Sequence, residues 1–419
     1  MNRWVVIPIF LLGASSALAM PQFSRRENMS CSGCHTQIPR LNRFGYEYRQ
    51  AGFRVPENLG KEEKPFSLEE LFGARVQVSG DYSHRDDNGA SSNNGQLQFR
   101  EFTMYPLTGA WGRYFSSLTE LSVAPEDFFE VENAYVKANL GTPDHMGWVR
   151  LGIAHPFEGY GGSDRPLGLA RSLIQTTAAN HNQSTLFTPW GLDQVGLSAG
   201  YLFRGFSAAF TVWNGNFVRS EEGGAVKVFP AQGGELLKTA TVPSNNHKDF
   251  QLFVNQMVGE RFGISAYYYR GWLDLPKDPK AELTPANLWQ NGFDRFALYG
   301  YLQPHKHLAL QAGGQLGIDH FFDANAAEPT GGTFYSGGLF GELLVPMREG
   351  LAGAVRYDFF DPSSRKDNNE LHAVTAALNW AAQNGLQLIG QYRFVDTSLG
   401  AGKSDRQDHS LQLRLIFIL

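Results

Sequence analysis

From residue 67 to its end the chain repeats stretches of about ten residues whose side chains alternate between apolar and polar, and this constrains the fold more than any other feature. Val131 to Leu140 places Ala134, Val136, Ala138 and Leu140 on one face and Asn133, Tyr135, Lys137 and Asn139 on the other. Leu351, Gly353, Val355, Tyr357 and Phe359 alternate with Ala352, Ala354, Arg356 and Asp358. Leu386, Leu388, Tyr392 and Phe394 alternate with Gln387, Gln391 and Arg393. The last stretch sets Leu411, Leu413, Leu415, Phe417 and Leu419 against Gln412 and Arg414. A strand sends successive side chains to opposite faces, so each stretch is an extended segment with one oily and one wet side. The predicted strands lie near 72–84, 96–107, 112–123, 129–140, 147–155, 193–203, 205–215 and 248–258, then 261–271, 293–302, 307–317, 334–345, 349–360, 369–380, 385–395 and 407–419. That makes 16, an even number, as a single-chain bacterial barrel requires.

The connections sort by length. Arg85–Gly95, His155–Leu192, Asn216–His247 and Trp272–Gly292 are long, with Ala124–Phe128 a short member of the same set. Thr108–Trp111, Arg204 alone and Gly259-Glu260 are short. A transmembrane barrel keeps short turns in the periplasm and long loops outside, whereas a soluble β-sandwich has no reason to sort its loops. Both ends of the sheet then fall on the periplasmic side. The chain ends in Leu419, with Phe417 two residues in, rather than in the terminal aromatic common in such barrels.

Composition agrees. The chain holds 46 glycines, 31 phenylalanines, 16 tyrosines and 8 tryptophans, yet its mean hydropathy is −0.30. Aromatic girdles around a polar lumen need that mixture. The net charge of −5 and the lack of a basic stripe argue against a nucleic-acid partner. After residue 19 no run of about 18 apolar residues occurs, so no transmembrane helix is expected. Residues 1–19 carry Arg3, an apolar run from Trp4 to Leu12 and the small-residue end Ala17-Leu18-Ala19. That pattern predicts a secretory signal peptide, with the mature chain starting at Met20 or Pro21. Pro8 and Gly13 interrupt a run already too short for a retained anchor.

Residues 20–66 have another character. Cys31-Ser32-Gly33-Cys34-His35 contains both cysteines of the chain and matches the attachment signature of a c-type haem. Two thiols add across the two vinyl groups of one porphyrin, and the adjacent imidazole reaches the iron. Zinc would want further Cys or His nearby, and residues 36–83 contain neither. A plain disulfide leaves His35 without a role. Arg40 to Gln50 is expected as a short helix ended by Gly52, with Leu41, Phe44 and Tyr48 on one face to cover the porphyrin or pack on the barrel wall. At 47 residues the segment is marginal for a core of its own, so it should dock on the barrel. The expected division is 1–19 signal peptide, 20–66 monohaem plug and 67–419 barrel.

The run Pro21-Gln22-Phe23-Ser24-Arg25, then Met29-Ser30-Cys31-Ser32-Gly33-Cys34-His35-Thr36-Gln37-Ile38-Pro39, with Leu41, Phe44-Gly45 and Gly52-Phe53, resembles the fused monohaem cytochrome–porins of bacterial outer membranes. Some members of that family are iron oxidases of iron-oxidising bacteria. The resemblance covers about residues 20–54 in motif and the rest in architecture. It implies an all-β outer-membrane barrel of about 16 strands holding a small haem plug on its periplasmic side. One covalent haem c would sit on Cys31 and Cys34, with His35 as axial iron ligand. Electrons would pass from extracellular iron(II) to a periplasmic c-type cytochrome or another soluble carrier, and iron(II) oxidase activity would follow.

The segment offers no second axial ligand, since residues 36–66 lack Met and His and Met29 stands two residues before Cys31. His84, Met104, His155 and His181 are barrel candidates, as is an open or water-ligated position. The third outer loop, His155–Leu192, carries Gly159, Gly161, Gly162, Asp164, Arg165, Arg171 and His181. It is expected as a porin constriction loop folded inward, with an iron(II) route as the sharper alternative. Asp86-Asp87 and Glu126-Asp127 read as solvated loop charges. Two rival functions are a solute channel with a haem-bearing plug and a haem enzyme acting at an open sixth position.

Overall fold

The computed structural model describes residues 21–61, 67–87, 89–125, 129–156, 168–175, 194–215, 217–222, 225–230, 247–276, 288–320, 332–348, 350–364, 368–382, 385–398 and 405–418. The expected signal peptide at residues 1–19 lies outside them. The wall begins with β1 (Gly73–Asp87), β2 (Ala90–Tyr105), β3 (Phe115–Val123), β4 (Glu130–Thr142) and β5 (His145–Ala154). Next come β6 (Gln194–Phe203), β7 (Phe206–Trp213), β8 (Asp249–Val258), β9 (Phe262–Pro276), β10 (Leu288–His305) and β11 (Leu308–Asp319). It ends with β12 (Phe334–Arg348), β13 (Leu351–Asp361), β14 (Leu371–Ala381), β15 (Leu386–Thr397) and β16 (Arg406–Ile418). Neighbours pair antiparallel, and β16 closes on β1 from Arg406↔Asp87 to Ile418↔Arg75. The result is a closed 16-stranded antiparallel barrel.

The alternation read from the sequence sets the faces. On β4, Asn139 is 0% exposed and its neighbour Leu140 is 60% exposed. Arg356 and Asp358 on β13 and Gln387 and Gln391 on β15 point inward and are buried, while Val355, Tyr357 and Tyr392 stay exposed outside. A wall with leucine outside and asparagine inside inverts the order of a soluble protein, which suits a sheet whose outer solvent is hydrocarbon. No helix among the described residues is long and apolar enough to cross a membrane; the strands do so.

Several boundaries differ from expectation, most of them in the wall and its loops. The first outer loop, expected over Arg85–Gly95, is mostly strand, because β1 and β2 stay paired to Asp87↔Ala90. Asp86 Oδ1 accepts the Gly89 N–H at 2.9 Å and closes a tight turn. Beyond the membrane both faces of a hairpin are wet, so its Ser and Asn residues can pair as strand without an apolar face. For the same reason β9 runs on to Pro276 and β10 starts at Leu288, shortening the Trp272–Gly292 loop, and a hairpin of Phe217–Glu222 with Ala225–Pro230 stands within the Asn216–His247 loop. The third strand starts at Phe115, since Gly109–Trp111 folds back on it.

The N-terminal segment lies in the mouth on the short-turn side. It comprises α1 (Pro21–Glu27), the single turn α2 (Cys31–Cys34), a ribbon of His35–Gln37 with Arg40–Leu41, and α3 (Arg43–Gln50). A 3-10 turn at Pro56–Asn58 and the single turn α4 (Leu68–Leu71) lead into β1. The helix expected from Arg40 therefore starts three residues later. Asn42 takes the cap position, its Oδ1 accepting the Gly45 N–H at 2.8 Å, and Leu41 stays extended in the ribbon.

Leu413 stands near the middle of β16 on the lipid face, and Gln412 beside it faces the lumen. Leu413→Arg should cost about 2–4 kcal/mol of folding free energy in phosphatidylcholine vesicles, measured by denaturant titration. Gln412→Ala should cost less than about 1 kcal/mol. Equal costs would mean that the assigned faces are wrong.

Candidate functional site

The Cys-x-x-Cys-His stretch is built by local hydrogen bonds. Ser24 Oγ donates to the Met29 carbonyl at 2.6 Å, folding the chain back before α2. One helical turn then brings Cys31 and Cys34, at i and i+3, to a common face; neither is in a disulfide and both are half-buried. Asn42 welds this turn to α3, since its Nδ2 donates to Gly33 O at 2.9 Å and its backbone N–H to Cys34 O at 2.9 Å. A Cβ at Gly45 would stand 2.1 Å from the Cys34 carbonyl, so only glycine lets the two turns meet.

His35 Nδ1 lies 3.1 Å from the Pro39 carbonyl. A carbonyl can only accept, so Nδ1 carries the proton and the Nε2 lone pair is left for a metal. Burial lowers the imidazole to about 4, against the raising effect of its backbone contacts with Pro39 and Arg40, so the ring is neutral and fit to ligate. Burial, then Cys31 and Glu27, push the Cys34 thiol up to about 11. Unoxidised thiols on one face of a turn, followed by a neutral imidazole with its lone pair directed away from its hydrogen bond, fit a covalent haem.

Aromatic rings stand beside the motif. Phe23 stacks on Phe53 with centroids 4.9 Å apart and meets Tyr48 edge-on at 5.7 Å. Phe44 and Tyr48 lie 6.2 Å apart on the expected face of α3, and the Tyr48 hydroxyl donates to Glu27 at 3.2 Å.

The segment is tied to the wall from several sides. Lys137 Nζ and Asn139 Nδ2 on β4 both donate to the Gln50 carbonyl, at 2.6 and 2.7 Å, where α3 ends. Buried Arg54 donates to the carbonyls of Arg113 and Phe115, and Tyr46 Oη pairs with Ser207 Oγ on β7. Asn379 Nδ2 donates to Ile38 O at 3.1 Å, and the Arg40 guanidinium lies 3.1 Å from the Tyr301 ring centroid. Tyr46, Ala51 and Leu59 pack with Met146, Leu202 and Met257 of the wall. Gly52, at φ +73°, ends α3 where a Cβ would meet Asn139 Oδ1 at 2.5 Å. Each buried hydrogen bond contributes about 0.5–1.5 kcal/mol and each buried apolar side chain about 1.5–3 kcal/mol, so docking supplies the core the segment lacks.

Part of the third loop enters the lumen, as a constriction loop would. Gln391 Oε1 accepts the N–H groups of Leu169 and Ala170 at 2.8 and 2.9 Å. Arg356, paired with Asp358 at 2.9 Å, donates to the carbonyls of Ala170 and Arg171, each at 2.9 Å. Leu173 and Ile174 are fully buried and join one apolar cluster that includes Tyr48 and Phe53 of the plug and Tyr135, Trp213, Phe253, Tyr299 and Phe360 of the wall. Gly159, Gly161, Gly162, Asp164, Arg165 and His181 lie outside the described residues.

Two of the described candidates for a second axial ligand, His84 and Met104, stand on the outer face of the wall. His84 faces outward beside His409, ring centroids 5.9 Å apart, at the far end of the barrel. Met104 lies on the lipid face, between the inward-facing Thr103 and Tyr105. His155 opens the third loop just past β5. Met29 lies against the motif itself, its terminal methyl 2.7 Å from where a Gly33 Cβ would be. Asp86 serves the first turn; Glu126 and Asp127 lie outside the described residues. Among the described residues no group of three or more His, Cys, Asp or Glu could hold a metal ion. Sequence reasoning placed Lys137 and Asn139 on the polar face but carried no sign that they grip Gln50. Nothing in the sequence marked Arg54 as a buried anchor.

Replacing both donors to Gln50, as Lys137→Met with Asn139→Ala, should loosen the plug by about 1–3 kcal/mol. The expected signs are higher single-channel conductance in planar bilayers and faster tryptic cleavage at Arg49 and Arg54, with the barrel still resistant. Unchanged conductance and cleavage would mean that these bonds do not hold the segment. Arg356→Ala should raise conductance separately, by releasing the inward loop.

No protein-family model matches the chain, and no curated protein does. Solved structures do match. An anion-selective porin from Comamonas acidovorans superposes with a TM-score of 0.54 at 13% identity, covering 83% of this chain and 98% of that one. The outer membrane channel DcaP of Acinetobacter baumannii gives 0.51 at 9% identity, covering 83% and 97%. OmpT of Vibrio cholerae gives 0.51 at 7% identity, covering 83% and 97%. At such identities the likeness is one of fold, and the fold of this chain is that of a porin.

Proposed function

We propose that this chain is an outer-membrane haem–porin fusion that passes electrons across the membrane, from extracellular iron(II) to a periplasmic electron carrier such as a c-type cytochrome. The observation that carries the reading is Cys31-Ser32-Gly33-Cys34-His35, seated on a plug that is braced inside a barrel mouth. Cys31 and Cys34 would hold one haem through thioethers, and His35 Nε2 would be its axial ligand. The bound haem supplies a one-electron redox couple within a layer that otherwise insulates the two compartments. Asn42 and Gly45 orient the motif, and Pro39 O sets the His35 tautomer. Phe23, Phe44, Tyr48 and Phe53 form an aromatic group on the same segment. Iron specificity rests on the family resemblance alone.

A second reading, a porin-like solute channel with a haem-bearing plug, is favoured by the porin structures and by the inward loop at 168–175. Against free solute flow stands the apolar cluster joining plug, wall and loop across the lumen. A barrel of this size leaves a water-filled bore only where nothing fills it.

The test is a visible spectrum of the purified oxidised protein before and after anaerobic iron(II). Rapid appearance of reduced c-type bands, lost in Cys31→Ser/Cys34→Ser, is the expected result. Bands that dithionite raises but iron(II) does not would keep the conduit and remove iron as donor. No c-type spectrum from a host able to attach haem would leave the channel, and steady conductance in planar bilayers would then establish it.

A further inference from the structure

The short-turn mouth carries an arc of positive charge. Four successive short turns join β6 to β7, β8 to β9, β10 to β11 and β12 to β13, and the pairing of β6 through β13 sets them side by side. Each presents one exposed cation: Arg204, Arg261, Lys306 and Arg348. Among the described residues the carboxylate within this arc is Glu260, which accepts the Arg43 N–H at 2.9 Å. Glu349 follows Arg348 in the sequence, so four cations less two carboxylates leave two positive charges, in a chain whose net charge is −5. The excess is therefore local.

The arc adjoins the haem motif. Arg43, the residue bonded to Glu260, is the first of α3, and Asn42 before it bonds Gly33 O and Cys34 O. Cys34 is thus joined to the basic turns through two hydrogen bonds and one peptide bond. Ser30 and Ser32 of the same stretch are exposed.

We propose that this arc docks an acidic soluble electron carrier beside the plug. The inference rests on the haem-carrying reading of Cys31 and Cys34. Charge complementarity selects the partner: an acidic surface is drawn to a ring of cations and oriented by it, while a basic carrier is turned away. Cationic side chains on tight turns also contribute little to stability, so their clustering has no structural need.

The test uses the full-length haem-loaded protein in nanodiscs of uncharged lipid, with two probes, an acidic and a basic soluble c-type cytochrome. Stopped-flow electron transfer to each oxidised probe is compared in the wild type and in Arg204→Gln/Arg261→Gln/Lys306→Gln/Arg348→Gln. The expected result is a rate to the acidic probe that falls about tenfold or more on raising salt to about 0.3 M, and by a similar factor in the variant at low salt. The rate to the basic probe should stay level or rise, and the rate to an uncharged quinone should not change. A variant that reduces the acidic probe at the wild-type rate, its c-type spectrum intact, would overturn the docking site and leave the haem reading standing. If no c-type spectrum exists, the haem reading fails by itself, and direct binding of the acidic cytochrome decides the arc: binding lost in the variant supports an acidic partner, and no binding ends the proposal. Arc-dependent binding to anionic lipid vesicles without binding to the acidic cytochrome would also overturn it, in favour of a membrane contact.

Discussion

Hydrocarbon offers no hydrogen bonds, and the pairing of β16 with β1 answers that constraint for the whole wall. An open sheet would expose a row of N–H and C=O groups to lipid at a cost of several kcal/mol each. Closure removes both edges, and with them any freedom of register, since a slip of one residue would turn Leu413 inward and Gln412 out. Everything else is fitted to a tube whose inside is polar by necessity.

A tube of this width has a bore, and this chain fills it from its own two resources. The N-terminal segment has too few residues for a core and takes one from the wall, with Tyr46, Ala51 and Leu59 against Met146, Leu202 and Met257. The third loop adds Leu173 and Ile174 from the other side. Plug and loop meet in a single apolar cluster inside a wall that elsewhere presents Asn, Gln and Arg inward. The lumen is thus a second, conventional core within an inverted protein. Its rigidity holds Cys31, Cys34 and His35 at a fixed place in the mouth.

Much of the wall was legible because its code is local. On β4, β13, β15 and β16 the apolar and polar faces stand as the alternation has them, and the count of 16 holds. The errors fall where the code loses its meaning. Outside the membrane a hairpin needs no apolar face, so Ser91 to Asn94 read as loop yet pair as strand. At α3 an Asn cap outweighed the periodicity that included Leu41. The chemical motif was legible because five adjacent residues contain it whole. Its supports were not: Gln50 and Lys137 are 87 residues apart in sequence, and Ile38 and Asn379 are 341 apart.

The amino-acid sequence by itself determined an inside-out β-barrel, the side of its short turns, and a Cys-x-x-Cys-His stretch on a segment too small to stand alone. Each of these depends on residues near one another in the chain, through alternation, turn length or covalent spacing. Tertiary structure alone decided that the segment sits in the short-turn mouth, that Arg356 and Gln391 hold the third loop inside, and that four scattered cations form one arc beside the motif. Those are contacts across a closed sheet, and only closure sets which strands become neighbours and which lumen residues come to face one another.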